Sequence, residues 1–120
     1  MHTKNVPFNL WRTTLDDLSR AYDGALASLE IVSSEVGAAN EVVDQPLRGI
    51  TADGDGVTIG FASPAGLHLQ HRIDHPRDLR IVETDEGAVM AIELEEKEGT
   101  NTLLRFRSPM RPEIFDPAVE

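Results

Sequence analysis

From residue 53 onward the chain carries reverse-turn chemistry at near-even intervals, and this punctuation constrains the fold more than any other feature. Asp53-Gly54-Asp55-Gly56, Ser63-Pro64-Ala65-Gly66, His75-Pro76-Arg77-Asp78, Thr84-Asp85-Glu86-Gly87 and Glu98-Gly99-Thr100-Asn101 each offer Gly where φ must be positive or Pro where φ is preset. Centred near residues 54, 65, 76, 86 and 99, these turns leave segments of the length of hairpin-connected strands.

The segments between them alternate in polarity. Val57, Ile59 and Phe61, then Leu67, Leu69 and Ile73, Leu79 and Ile81, Met90, Ile92 and Leu94, and Leu104 and Phe106 fall on one face; Thr58, Gln70, Arg72, Arg80, Glu93 and Arg105 fall on the other. One wet face and one dry face describe an antiparallel meander whose apolar side must be covered. Cross-strand pairing of Glu93 or Glu95 with Arg105 is geometrically sensible on the wet face.

A single amphipathic helix is signalled over roughly residues 14–23. Thr14 can cap it, Asp16 and Asp17 suit the first turn, Leu15, Leu18 and Tyr22 share a stripe, and Gly24 can stop it. The period then shortens to two: Ala27, Leu29 and Ile31 alternate with Ser28, Glu30 and Val32, and Pro46 opens a second extended segment over Leu47 to Ala52. Residues 36–43 read equally as strand or loop. Trp11, beside Phe8 and Leu10, is expected to cover helix and sheet.

The expected architecture is therefore α+β: one short N-terminal helix followed by an antiparallel β-meander of six to seven strands, curled or partly barrel-like. A length of 120 residues leaves room for a single domain, with an N-terminal arm over residues 1–12 and an extended, proline-rich C-terminal tail over residues 108–120. Within that tail Met110, Ile114 and Phe115 are apolar anchors, suited to dock on the chain's own sheet or to bind a partner.

Charge and cysteine usage narrow the function. Eleven Lys and Arg against 21 Asp and Glu leave a formal charge of −10, which repels phosphate backbones and anionic lipid, so nucleic acid and membrane surfaces are not expected partners. No cysteine means no disulfide, thiolate zinc site or thiol nucleophile. Met1 to Leu10 lacks the apolar run of a secretory signal, and no stretch reaches the ~18 apolar residues of a membrane span. A cytoplasmic location follows as the expectation.

Pro46-Leu47-Arg48-Gly49-Ile50 followed by Asp53, and His68-Leu69-Gln70-His71-Arg72-Ile73 followed by Pro76, resemble segments of an uncharacterised bacterial family of small domains of unknown function. Trp11 before a short helix ending at Gly24 fits the same pattern, and the likeness covers most of residues 10–106. It implies the fold and brings no activity, substrate or catalytic residue.

Three of the four histidines, His68, His71 and His75, fall within eight residues. On a strand His68 and His71 point to opposite faces about 10 Å apart along the axis, too far to share an ion. His71 shares the parity of Leu69 and Ile73 and is expected as a core histidine; His75 precedes Pro76 at a turn. Convergence of His71, Arg72, Asp74 and His75 through that turn is the one arrangement that yields a small-ligand, metal or acid/base site. Asp53-Gly54-Asp55-Gly56 has the start of a calcium loop, but Pro64 stands where the bidentate Glu belongs.

No nucleophile elbow, phosphate loop, zinc-helix motif or dinucleotide fingerprint occurs, and no cofactor or metal is implied. The functional expectation is a non-enzymatic binding or accessory module, working through a sheet edge, the turn near His75 or the tail, with a protein partner or a second copy as a homodimer. The alternative is a small-ligand or metal-assisted enzyme built on His71, Arg72, Asp74 and His75.

Overall fold

The computed structural model describes residues 1–35, 37–63, 66 and 68–110, with Pro109 and Met110 as backbone only. In chain order these form β1 (His2–Asn5), a 3₁₀ turn (Phe8–Leu10), α1 (Trp11–Ala21), β2 (Leu26–Ser33), β3 (Gly37–Asp53), β4 (Gly56–Ala62), β5 (His68–Asp74), β6 (Pro76–Glu83), β7 (Val89–Glu96) and β8 (Asn101–Met110). All eight strands join one antiparallel sheet in the order β1-β6-β7-β8-β2-β3-β4-β5, which is not closed.

The sheet is two hairpin runs, β2 to β5 and β6 to β8, joined edge to edge by β2 against β8. A simple meander of six or seven strands is therefore corrected on two points. β1, whose His2-Thr3-Lys4-Asn5 sequence has no apolar alternation because all four residues are exposed, adds an edge strand to β6. β5 and β6, consecutive in sequence, are not neighbours in the sheet and lie at or near its two ends. The sheet nevertheless coils enough to bring β5 near β7.

β3 spans the undecided region from Gly37 and continues to Asp53, 17 residues in all; Val36 lies outside the described residues. It pairs with β2 as far as Pro46 and with β4 from Leu47. Proline, having no N–H, falls where the strand exchanges partners. Beyond that point the side that β2 occupied would be a bare edge, and α1 with its following loop covers it. Leu47 N–H donates to the Ala25 carbonyl and Gly24 N–H to the Leu47 carbonyl, both at 2.8 Å. Ser19 Oγ lies 2.8 Å from both the Ile50 nitrogen, whose proton it accepts, and the Ile50 carbonyl.

The helix starts three residues earlier than the cap chemistry predicts. Pro7 precedes a 3₁₀ turn closed by Leu10 N–H to the Pro7 carbonyl at 2.9 Å, and Trp11 Nε1 donates to the Val6 carbonyl at 2.8 Å, so helix begins at Trp11 and Thr14 lies inside it. Leu15, Leu18 and Tyr22 are buried as the stripe requires, and Gly24, at φ 83°, ends the segment as expected. Trp11 is buried in its covering role.

The core runs from these helix residues through Ala27, Leu29, Leu47, Ile50, Val57, Ile59, Phe61, Ile73, Leu79, Ile81, Ile92, Leu94, Leu104 and Phe106. Leu69 departs from its expected burial and is 40% exposed, because β5 is an edge strand and its outer half outruns its cover. Met90 is half-buried, next to a bulge between Val89 and Ala91 that lets both of those residues reach the core. Leu67 lies outside the described residues.

The turns after β3, β6 and β7 stand where expected, with Gly54, Gly87 and Gly99 all at positive φ. The C-terminal tail does not begin at Ser108: β8 continues through Met110, and Ile114 and Phe115 lie outside the described residues. Among the described residues no helix is long and apolar enough to cross a membrane.

Candidate functional site

His75-Pro76-Arg77-Asp78 is not a reverse turn. β6 already begins at Pro76, and the whole change of direction from β5 is concentrated at His75, which adopts φ 50°. A side chain at positive φ costs about 1–2 kcal/mol. His75 N–H donates to the Asp55 carbonyl at 2.8 Å, pinning the corner to the tip of the β3–β4 hairpin. On the other side Pro76 lies opposite Glu96, at the tip of the β7–β8 hairpin.

Three contiguous depressions surround this corner. The first, about 200 Å³, is walled mainly by Phe8, Trp11, Ala52, Gly54, Gly56 and Pro76, with polar Asn9, Arg12 and Asp55 also in its lining. A second, about 290 Å³, shares Phe8, Gly54, Asp55 and Pro76 and extends to His75 and Lys97. The third, about 410 Å³, is lined by Arg72, Asp74, His75, Glu96, Lys97 and Glu98. One cleft therefore passes from an apolar end to a charged end around Pro76. Phe8 stands over the apolar end, 75% exposed, its ring edge-on to Trp11 with centroids 5.1 Å apart.

Gly56 shapes the wall. A Cβ there would come within 2.7 Å of Arg72 Nη2 and 2.8 Å of the Ile73 carbonyl, so a larger residue would displace the Arg72 head. That guanidinium lies across the hairpin, bonded to Asp74 Oδ1 at 3.0 Å and to Thr58 Oγ1 and the Asp53 carbonyl at 3.3 Å each.

Several charges elsewhere on the sheet pair with one another. Arg80 reaches Glu93 and Glu95, and Arg77 reaches Glu95 at 2.9 Å, with Asp78 beside both. Arg105, expected to pair with Glu93 or Glu95, pairs instead with Glu30 at 3.1 Å, because Ala91 is its partner on β7 and Glu30 is within reach on β2. Among the described residues Arg12, Arg48 and Lys97 are the basic side chains with no carboxylate within 4.0 Å. Two of these three border the cleft.

Glu96 titrates above the ordinary carboxylate value. Burial is the main cause; the neighbouring charge of Glu98 and then that of Asp74 add to it, and His71 opposes it. The charged end thus holds a carboxyl that resists ionisation beside a lysine without an acidic partner among the described residues.

Of the four sequence-predicted site residues, the fold brings Arg72, Asp74 and His75 into one cleft. His71 is half-buried on the opposite face of β5 from Arg72 and touches that cleft only through its field on Glu96. Phe8, Arg12 and Lys97 are cleft residues that the sequence reading did not single out as functional. They belong to segments far apart in sequence, and the available signal was Phe8 and Trp11 flanking a proline-started turn. No group of three His, Cys, Asp or Glu side chains that could hold a metal is found among the described residues.

The model of a family of unknown function, DUF5335, matches residues 2–114, and the chain belongs to that family. An uncharacterized protein of Aquifex aeolicus (strain VF5) is 35% identical over 109 residues, covering 89% of this chain and 94% of the relative. No solved structure matches.

Proposed function

We propose that this DUF5335 member is a docking module whose corner cleft receives a short apolar segment of a protein partner, flanked by carboxylates. The observation that carries the reading is the pairing of a 75% exposed Phe8 over a largely apolar trough with two cations, Arg12 and Lys97, that have no carboxylate partner among the described residues of an otherwise acidic protein. An aromatic anchor with a desolvated centre and a charged rim is the anatomy of an interface hot spot. Arg12 and Lys97 supply charge steering for an acidic partner that a net charge of −10 would otherwise turn away.

Trp11 is the single tryptophan and lines the trough, so its emission reports occupancy. Titration with acid-flanked aromatic tetrapeptides of the Asp-Leu-Phe-Glu type is expected to shift that emission saturably. Their Lys-flanked analogues should not, and Phe8→Ala or Arg12→Glu should weaken binding at least about tenfold, or ~1.4 kcal/mol. Equal response to both peptide classes, or to neither, would overturn the docking reading.

A second reading, a small-ligand site at Arg72, Asp74 and His75, draws support from their meeting in the depression of about 410 Å³. It expects a thermal shift with a small anionic metabolite, removed by Arg72→Ala, with Trp11 emission unchanged.

A further inference from the structure

We infer that the segment seated in this cleft is Glu113-Ile114-Phe115-Asp116 of a second copy of the chain, so that two copies exchange C-terminal segments. The inference rests on the docking reading and names its partner. Ile114 and Phe115 supply the apolar anchor and Glu113 and Asp116 the flanking carboxylates that Arg12 and Lys97 lack among the described residues.

Strand direction excludes the chain's own segment. β7 runs toward the cleft from Val89 to Glu96, and β8 runs back, ending with Met110 opposite Val89. Seven residue steps along β7, from 89 to 96, separate that end from the cleft, about 23 Å at roughly 3.3 Å per residue. Phe115 is five steps beyond Met110, a reach of at most about 18 Å when fully extended, and the segment must first reverse direction. Phe115 of its own chain therefore falls short, whereas Phe115 of another chain carries no such limit. Exchange between two copies is reciprocal and closes as a two-fold dimer, with each cleft filled once. Net repulsion between two chains of charge −10 each must be offset locally, and this cleft carries two cations, Arg12 and Lys97, with no carboxylate within 4.0 Å among the described residues, although Asp55, Asp74, Glu96 and Glu98 share its lining.

Sedimentation equilibrium of the full chain across about 1–200 μM, with the Phe115→Asp and Phe8→Ala variants, tests the proposal. The expected result is a reversible dimer whose dissociation constant rises at least about tenfold in either variant, both remaining folded by circular dichroism. A synthetic peptide of residues 111–120 should bind the Phe115→Asp chain and shift Trp11 emission. A monomeric parent chain, or a dimer indifferent to Phe115→Asp, would overturn the exchange. If the acid-flanked tetrapeptides still bind in that case, the docking reading survives and the identity of the segment alone is lost.

Discussion

The two ends of α1 are built to opposite rules. At its C-terminal end Tyr22 is 1% exposed and stacked on Phe106 with centroids 4.6 Å apart, and its hydroxyl accepts from Val89 N–H at 3.4 Å. Ser19 meanwhile satisfies the Ile50 backbone. At its N-terminal end Phe8 projects into solvent, Arg12 has no carboxylate partner among the described residues, and the neighbouring corner holds His75 at positive φ. The first end spends its side chains on holding the fold. At the second, large apolar surface, unpaired charge and a costly backbone conformation coincide, a combination that stability alone does not select.

That contrast can be broken from either side. Tyr22→Ala removes a buried aromatic with its stacking partner and is expected to cost about 3–5 kcal/mol in urea unfolding. Ser19→Ala strips the Ile50 N–H of its acceptor on the covered edge of β3 and removes the single hydroxyl proton that lies between the Ile50 and Leu15 carbonyls, and a loss of about 1–3 kcal/mol is expected in the same measurement. Phe8→Ala should leave stability within about 0.5 kcal/mol, since its ring is mostly in water, while weakening peptide binding at least about tenfold. A large stability loss on Phe8→Ala would assign the exposed end a structural role and erase the difference.

The smallest effect concerns pH. Because the folded state raises the Glu96 carboxyl above its ordinary value of 4.5, the native chain holds that proton more tightly than the unfolded chain. Its contribution to stability is therefore full below the ordinary value and is lost as pH rises through the folded one. Glu96→Gln should flatten the stability profile in that window and leave the protein slightly more stable at neutral pH; Tm measured at pH 4 and pH 7 for both chains checks it.

Features set by local φ/ψ chemistry were legible in the sequence. Gly54, Gly87 and Gly99 mark hairpin tips because no other residue type takes positive φ as cheaply, and the alternation about Val57, Ile59 and Phe61 marks a half-buried strand. Features set by distant partners were not. β1 is polar throughout and is a strand only because β6 offers an edge, and β2 meets β8 across 69 to 79 positions of chain, from Val32 with Asn101 to Ala27 with Phe106. Arg105 chose Glu30 for the same reason. The site divides likewise. Arg72, Asp74 and His75 were visible because they are neighbours in sequence, whereas Phe8, Arg12 and Lys97 join them only through the coiling of the sheet.

The most direct measurement is a titration of the isotopically labelled full chain with an acid-flanked aromatic tetrapeptide, followed amide by amide by NMR. If the open end of α1 is the docking surface, shifts will concentrate at Phe8, Arg12, Gly54 to Gly56, His75, Arg77 and Lys97, with Tyr22, Val89 and Phe106 unmoved. Shifts centred on Tyr22 and Val89, or none at saturating peptide, would contradict it.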